Sequence, residues 1–335
     1  MNFDYNEEQQ LLADSVRRFL ARDYGFEARR QIIASPEGWS APVWETFAGM
    51  GLLGLPLSAD YGGFGGGAVD LMAVMEALGE ALVVEPYLST LMGALAISRG
   101  GSRELKSTLL PAIAQGKMRI AFAASDRQVI GAPSAQKLAV VKENGGDVAL
   151  YVLDAGAVTL RSYRTLDGMR AADVTFSKQP GERLEGGGAL LEEVLDFGTA
   201  LICAEAVGAM QYACDATLEF LKTRKQFGVP IGTFQALQHR MVDMVIAAEQ
   251  ARSMACLACS KVDHASDARE RARAVSAAKI KIADAARHVS QESIQLHGGM
   301  GMTEELKISH TFRRLTVIAQ QFGDADHHLA RFAAS

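Results

Sequence analysis

The sequence predicts a mainly helical fold interrupted by one small β region. Two observations carry this expectation. Apolar residues recur at spacings of three and four through the first third of the chain and again through its last 145 residues. Between these stretches, "KLAVV", "VALYVL", "AVTL" and "ADVTF" are short, β-branched and separated by turn residues. The order divides the 335 residues into an N-terminal helical domain (1–120), a short β domain (121–180) and a C-terminal four-helix bundle (181–335). No internal repeat is visible.

The N-terminal segment "NEEQQLLADSVRRFLARDY" puts Leu12, Val16, Phe19 and Leu20 on one helical face. "PVWETFAGMGLLG" and "VDLMAVMEALGEALV" continue the pattern. Between them, five of the six residues from Gly62 to Gly67 are glycine. A phosphate loop would need a strand running into it and a GK[ST] or complete GxGxxG motif, and neither is present, so a flexible turn before a helix is expected. In the β domain, "ENGGD" marks a turn, and "SKQPGERLEGGG" reads as a loop leading out. In the bundle, Val207, Met210, Cys214, Leu218 and Leu221 form one apolar stripe, Leu237, Met241, Met244 and Ala248 a second, and Val275, Ala278, Ile282 and Val289 a third. Met210, Leu218, Leu237, Met244, Val275 and Ile282 are therefore expected in the core.

Composition narrows the function. Hydrophobic residues make up 49% and charged residues 22%, as in a globular chain. The net charge of -5, with no basic run, argues against nucleic acid and anionic membranes as partners. No apolar run reaches the ~18 residues of a spanning helix, and the polar opening "MNFDYNEEQQ" does not read as a signal peptide. A cytoplasmic protein is expected. Four cysteines make no disulfide framework, and the CxxC of Cys256 and Cys259 lacks a second pair or a nearby histidine, so it reads as two small apolar helix residues.

Two bundle stretches go beyond generic helix: "LKTRKQFGVPIGTFQALQHRMVDM" (221–244) and "QLHGGMGMTEELKISHTFRRL" (295–315). With the helical–β–helical order, they resemble the acyl-CoA dehydrogenase family over nearly the whole chain. "EGW", "YGGFGGG", "LICAEAVG" and "FGDADHHLARFA" further resemble the small, degenerate subunits of heteromeric members that act on bulky or dicarboxylic acyl-CoA esters, as in fatty acid or steroid side-chain degradation. The chemistry of the residues agrees. Arg224 offers a planar fork of donors suited to pyrophosphate, and Lys225 a point charge. Gly228 permits a sharp turn, Gln295 carries an amide, and Gly298, Gly299 and Gly301 let backbone N–H groups approach a phosphate. The resemblance implies that these positions, with Phe227, hold the ADP half of an FAD shared across a subunit interface.

The resemblance also shows what is missing. Family members remove the α-proton of an acyl thioester with a carboxylate while the β-hydride goes to the flavin. That carboxylate usually lies in a "YEGT"-like segment, which here reads "FGDA", so Gly323 occupies its position. The alternative position, at the start of the helix before "RKQFG", falls near Gly198. Asp324 and Glu205 are the nearest substitute acids; Asp324 is one residue off, about 100° around a helix. Asp324 and His328 are spaced i and i+4, but nothing nearby completes a metal site. After "AFAASDRQ", the flavin loop and "WxxxGxK" strand of the family are not found, so two or three strands are expected to be absent. These features lead to a non-catalytic subunit of an α2β2 acyl-CoA dehydrogenase whose catalytic partner supplies the base, most of the FAD site and the acyl-CoA site. A self-sufficient homo-oligomer with a shifted base, and a non-flavin scaffold or regulatory protein on the same fold, remain open alternatives.

Overall fold

The computed structural model describes residues 5–176 and 181–335. Residues 1–4, in the polar opening, and 177–180, the first four of the expected exit loop, lie outside the described residues. The described helices are α1 (Glu7–Asp23), α2 (Phe26–Ala34), α3 (Ala41–Gly49), α4 (Ala68–Ala81), α5 (Tyr87–Gly100), α6 (Arg103–Ala114), α7 (Gly187–Thr223), α8 (Gln235–His264), α9 (Ala268–His297), α10 (Lys307–Gln320) and α11 (Ala325–Ala334). The strands are β1 (Ile120–Ala123), β2 (Val129–Ile130), β3 (Lys137–Asn144), β4 (Asp147–Asp154), β5 (Val158–Arg164), β6 (Arg170–Phe176), β7 (Glu182–Leu184), β8 (Lys225–Gln226) and β9 (Val229–Pro230). The fold is mainly helical with a small sheet region between helical stretches, as the sequence leads one to expect. None of the described helices is long and apolar enough to cross a membrane.

These elements fall into two compact units. One comprises Thr199–Ser335, Met72–Val83 and the described residues up to Ala28. Its centre is α9, which packs against α8, α10 and α11. Met210, Met244, Val275 and Ile282 are fully buried on the stripes read from the sequence. Leu237 is half-buried, and Leu218 is 38% exposed. The stripe is real at Leu218, but near the end of α7 it faces a surface cleft instead of core; a periodic pattern marks an apolar face without saying what covers it. Two glycines let α4 and α7 approach closely. A Cβ added to Gly208 of α7 would lie 1.9 Å from the Glu76 carbonyl oxygen, and one added to Gly79 of α4 would lie 1.9 Å from that of Glu205. Only glycine on both helices allows this crossing, which accounts for the glycine that ends "LICAEAVG". Local chemistry sets the helix starts: Asn6 and Gln9 form a capping box on α1, and Asp267 caps α9 through the Glu270 N–H.

The other unit comprises Arg29–Leu71 and Val84–Gly198. Its strands form a four-stranded sheet, β1-β3-β4-β7, and a three-stranded sheet, β2-β6-β5. The β3–β4 hairpin pairs Leu138 with Leu153 and Val140 with Tyr151, and it turns at Gly145 and Gly146, both at positive φ (61° and 98°). Two residues at positive φ match the twist of the strands they join, so "ENGGD" is the expected turn. Leu138, Val140, Leu153, Ala172 and Val174 fill the core between these strands. The β-branched stretches of the sequence correspond to β3, β4, β5 and β6, whereas β1, β2 and β7 are too short to carry such a pattern. The last forms at Glu182–Leu184 inside the segment expected to be a loop, because β4 offers it a pairing edge. The glycine run after Tyr61 is a turn before α4. Gly63 lies against backbone, with its added Cβ 2.1 Å from the Leu57 carbonyl oxygen, and the Gly67 N–H donates to the Asp70 carboxylate at 2.8 Å.

Candidate functional site

The "RKQFG" stretch is a surface hairpin. The Arg224 N–H donates to the Phe220 carbonyl at 2.8 Å and ends α7, and the Ile231 N–H donates back to the Arg224 carbonyl at 2.8 Å. Between these bonds β8 pairs with β9 through a turn at Phe227 and Gly228, with φ of 55° and 82°. Gly228 takes this conformation freely, whereas Phe227 does so at a cost of order 1 kcal/mol. Phe227 nevertheless stands 90% exposed, its ring edge-on to Phe234 at 6.1 Å. Arg224 and Lys225 are exposed, and the Arg224 guanidinium has no partner among the described residues. A strained, exposed aromatic beside an unpaired arginine suits a surface waiting for a ligand.

The second loop follows α9. Gly298 has φ 62° and ψ −147°, a region reserved for glycine. It opens a tight 3-10 turn, Gly298–Met302. Gly301 folds back on the helix, its added Cβ 2.8 Å from the Ile294 carbonyl oxygen. Gly298 and Gly299 are exposed with open space around them, and the Gln295 amide is exposed beside them. This is a backbone surface an anion can approach closely. Next to the hairpin, a cleft of about 420 Å³ is lined by Leu218, Leu221, Lys222, Pro230, Met241 and Val242. On α8, Val242, Val245 and Ile246 share one face and are all exposed. Residues of these types fit one half of a dinucleotide: a guanidinium for pyrophosphate, open glycines for backbone approach, and apolar surface for a base.

The C-terminal acids and histidines have other tasks. Phe322 and Gly323 both take positive φ, 61° and 104°. A Cβ on Gly323 would lie 2.4 Å from the exposed His327 ring, so a side chain there would have to displace that ring and hold a positive φ. The Gly323 carbonyl accepts from the Lys279 ammonium at 2.9 Å, and the same ammonium reaches the Ile318 and Ala319 carbonyls at 2.8 and 3.2 Å. Lys279 is fully buried, and burial lowers its pKa; its three donors meet three carbonyls. Asp324 caps α11, accepting the His327 N–H at 2.9 Å. His328 is buried. Its Nε2 lies 3.0 Å from the Phe322 carbonyl and its Nδ1 3.3 Å from the Ser276 hydroxyl. A carbonyl only accepts, so Nε2 carries the proton, and burial pushes the ring's pKa down to about 4. The described residues hold no group of three or more side chains suited to a metal. Glu205 is buried and bonds Arg314 at 2.5 Å, with both side chains under 8% exposed. Gly198 is tightly packed: an added Cβ would lie 2.5 Å from the methyl of Met92.

The structure thus brings Arg224, Phe227 and Gly228 together on one hairpin and Gln295, Gly298, Gly299 and Gly301 on one turn. It gives Gly323, Asp324 and Glu205 structural surroundings. Sequence reasoning missed Lys279 and Arg314. Both lie at positions compatible with a solvated helix face, and their burial is visible only once the helices are packed.

Family models for the N-terminal and C-terminal domains of acyl-CoA dehydrogenase match residues 6–117 and 185–335. The chain is 28% identical over 333 residues, 98% of this chain and 99% of the relative, to acyl-CoA dehydrogenase IpdE2 of Mycolicibacterium smegmatis. It is 30% identical over 315 residues, 94% of this chain and 92% of the relative, to the IpdE2 of Mycobacterium tuberculosis. A solved structure described as the Tcur3481-Tcur3483 steroid ACAD G363A variant superposes with a TM-score of 0.90 at 26% identity, covering 98% of this chain and 97% of that one.

Proposed function

Since the chain belongs to the acyl-CoA dehydrogenase family, we propose that it is a non-catalytic subunit of a heteromeric, FAD-dependent member. It would donate the ADP-half contacts of a flavin held mainly by a catalytic partner, in an α2β2 assembly. The observation that carries this reading is a contrast. The segment that should supply the base is built into the bundle by Lys279 and His328, while the two nucleotide loops stand exposed and open. FAD bound there would supply the hydride acceptor for desaturation of an acyl-CoA thioester. On this chain, Arg224 would bind pyrophosphate through its fork, Gly298 and Gly299 would let backbone N–H groups approach it while the buried Gly301 folds their turn against α9, Gln295 would hydrogen-bond the nucleotide, and Phe227 would cover an apolar edge. On this reading, Asp324 serves as a helix cap and Glu205 as the partner of a buried arginine, and neither acts as the base. The resemblance to a structure named for a pair, Tcur3481-Tcur3483, supports a two-subunit assembly and a bulky, steroid-type acyl group.

The test is a flavin absorbance spectrum of the chain expressed alone and co-expressed with candidate catalytic acyl-CoA dehydrogenase subunits from the same genome. The expected result is a colourless chain alone and a yellow complex after co-expression. A yellow chain that desaturates an acyl-CoA by itself would overturn the proposal in favour of a self-sufficient enzyme. A colourless product under both conditions would favour a flavin-free scaffold.

A further inference from the structure

The two nucleotide loops come from stretches some seventy residues apart in sequence, and one side chain joins them. His297, the last residue of α9, stacks on Phe220 with ring centroids 4.5 Å apart and planes at 26°. Phe220 is the residue whose carbonyl receives the Arg224 N–H. The stack therefore grips the base of the Arg224 turn. On its other side, His297 holds its own loop. Its Nδ1 lies 2.8 Å from the Ser293 carbonyl, which requires the proton on Nδ1 and fixes the ring plane. Gly298 follows it directly, and Gly301 returns so closely that an added Cβ would lie 3.0 Å from the His297 Cβ. His297 is 7% exposed, and burial lowers its pKa.

We propose that His297 is a positioning residue that fixes the spacing between the Arg224 turn and the Gln295–Gly301 loop, so that both reach one pyrophosphate. This rests on the reading that these loops bind the ADP half of a shared FAD. A residue that only filled core would stabilise α9 and α7 without setting the geometry of the surface turns.

Two measurements separate these roles. The first is amide hydrogen exchange across 222–231 in the chain alone, without cofactor. His297→Ala is expected to speed exchange there several-fold, and His297→Phe, which keeps a flat ring on Phe220, is expected to restore it. The second is FAD retained after dialysis of the co-expressed complex. Retention should fall about two- to tenfold in His297→Ala, the range expected for losing one aromatic stack, and recover in His297→Phe. If His297→Ala does not fold, His297→Leu, which keeps volume but no flat ring, takes its place. Unchanged exchange at 222–231, or unchanged retention while Arg224→Ala loses flavin, would overturn the role of His297 alone. Full retention in Arg224→Ala would instead overturn the reading beneath it.

Discussion

Arg224 and Arg314 are both bundle arginines, and their surroundings give them opposite tasks. Arg224 is exposed, and no described residue pairs with its fork, so removing it should not disturb the core. A charge-assisted contact to pyrophosphate is worth roughly 1.5–3 kcal/mol. Arg224→Ala should therefore cut FAD affinity in the complex by about ten- to a hundredfold, leaving sedimentation unchanged. Arg224→Lys should rescue only partly, since an ammonium lacks the fork. Arg314 is buried on Glu205. Arg314→Ala leaves a buried carboxylate unpaired and should lower unfolding stability by roughly 3–5 kcal/mol in denaturant titrations. A Glu205→Gln chain that keeps full stability yet abolishes turnover in the complex would contradict this structural role and return Glu205 to candidacy as a base.

At the scale of the element, the Phe322–Gly323 turn and α11 form one piece pinned to α9 by Lys279 and by His328 through Ser276. His328 ionises near pH 4 when folded and near 6.5 when unfolded. As pH falls below 6.5, the unfolded chain takes the proton first. The stability this ring contributes is therefore whole above pH 6.5 and is lost between 6.5 and about 4, amounting to about 3 kcal/mol at most. Denaturation midpoints measured across that window should fall steadily, and His328→Gln should flatten the decline. On the proposed reading, the same element also resists introduction of a base at Gly323 by a single change. Gly323→Glu must place a side chain at φ 104° against the His327 ring. The expected result is a loss of at least about 1–2 kcal/mol in stability with no dehydrogenase activity from the chain alone, checked by melting and by acyl-CoA turnover.

At the scale of the whole molecule, the exposed apolar residues are unevenly spread. Leu218, Phe227, Val229, Phe234, Val242, Val245, Ile246, Met300 and Met302 all belong to the end of α7, the hairpin, α8 and the glycine turn. Large apolar side chains gathered on neighbouring elements beside the proposed nucleotide loops mark an interface more readily than a solvent face. Ile246→Asp should leave the isolated chain folded by circular dichroism and abolish co-sedimentation with the catalytic partner. Intact assembly in that variant would remove α8 from the interface.

Much of this was legible in the sequence because it rests on local rules. Stripes spaced by three and four mark helices wherever they pack, "ENGGD" turns a hairpin by its own φ preferences, and "RKQFG" and "QLHGGMG" carry their donors and glycines as written. The absence of glutamate at Gly323 was equally plain. The fates of polar side chains were not legible, because burial depends on residues far away in the chain. Lys279 is a surface lysine by composition and a buried clamp only after the carbonyls of Ile318, Ala319 and Gly323 converge on it. Leu218 belongs to a core stripe by period and faces a cleft only because α7 ends there. The strand at Glu182–Leu184 exists because β4 leaves an edge to pair with. Sequence alone determined the family resemblance, the helical–β–helical order and the donors and glycines of the two loops proposed to meet a nucleotide. Tertiary structure decided which charged groups are free to act, since a side chain's environment is set by contacts that sequence spacing does not encode.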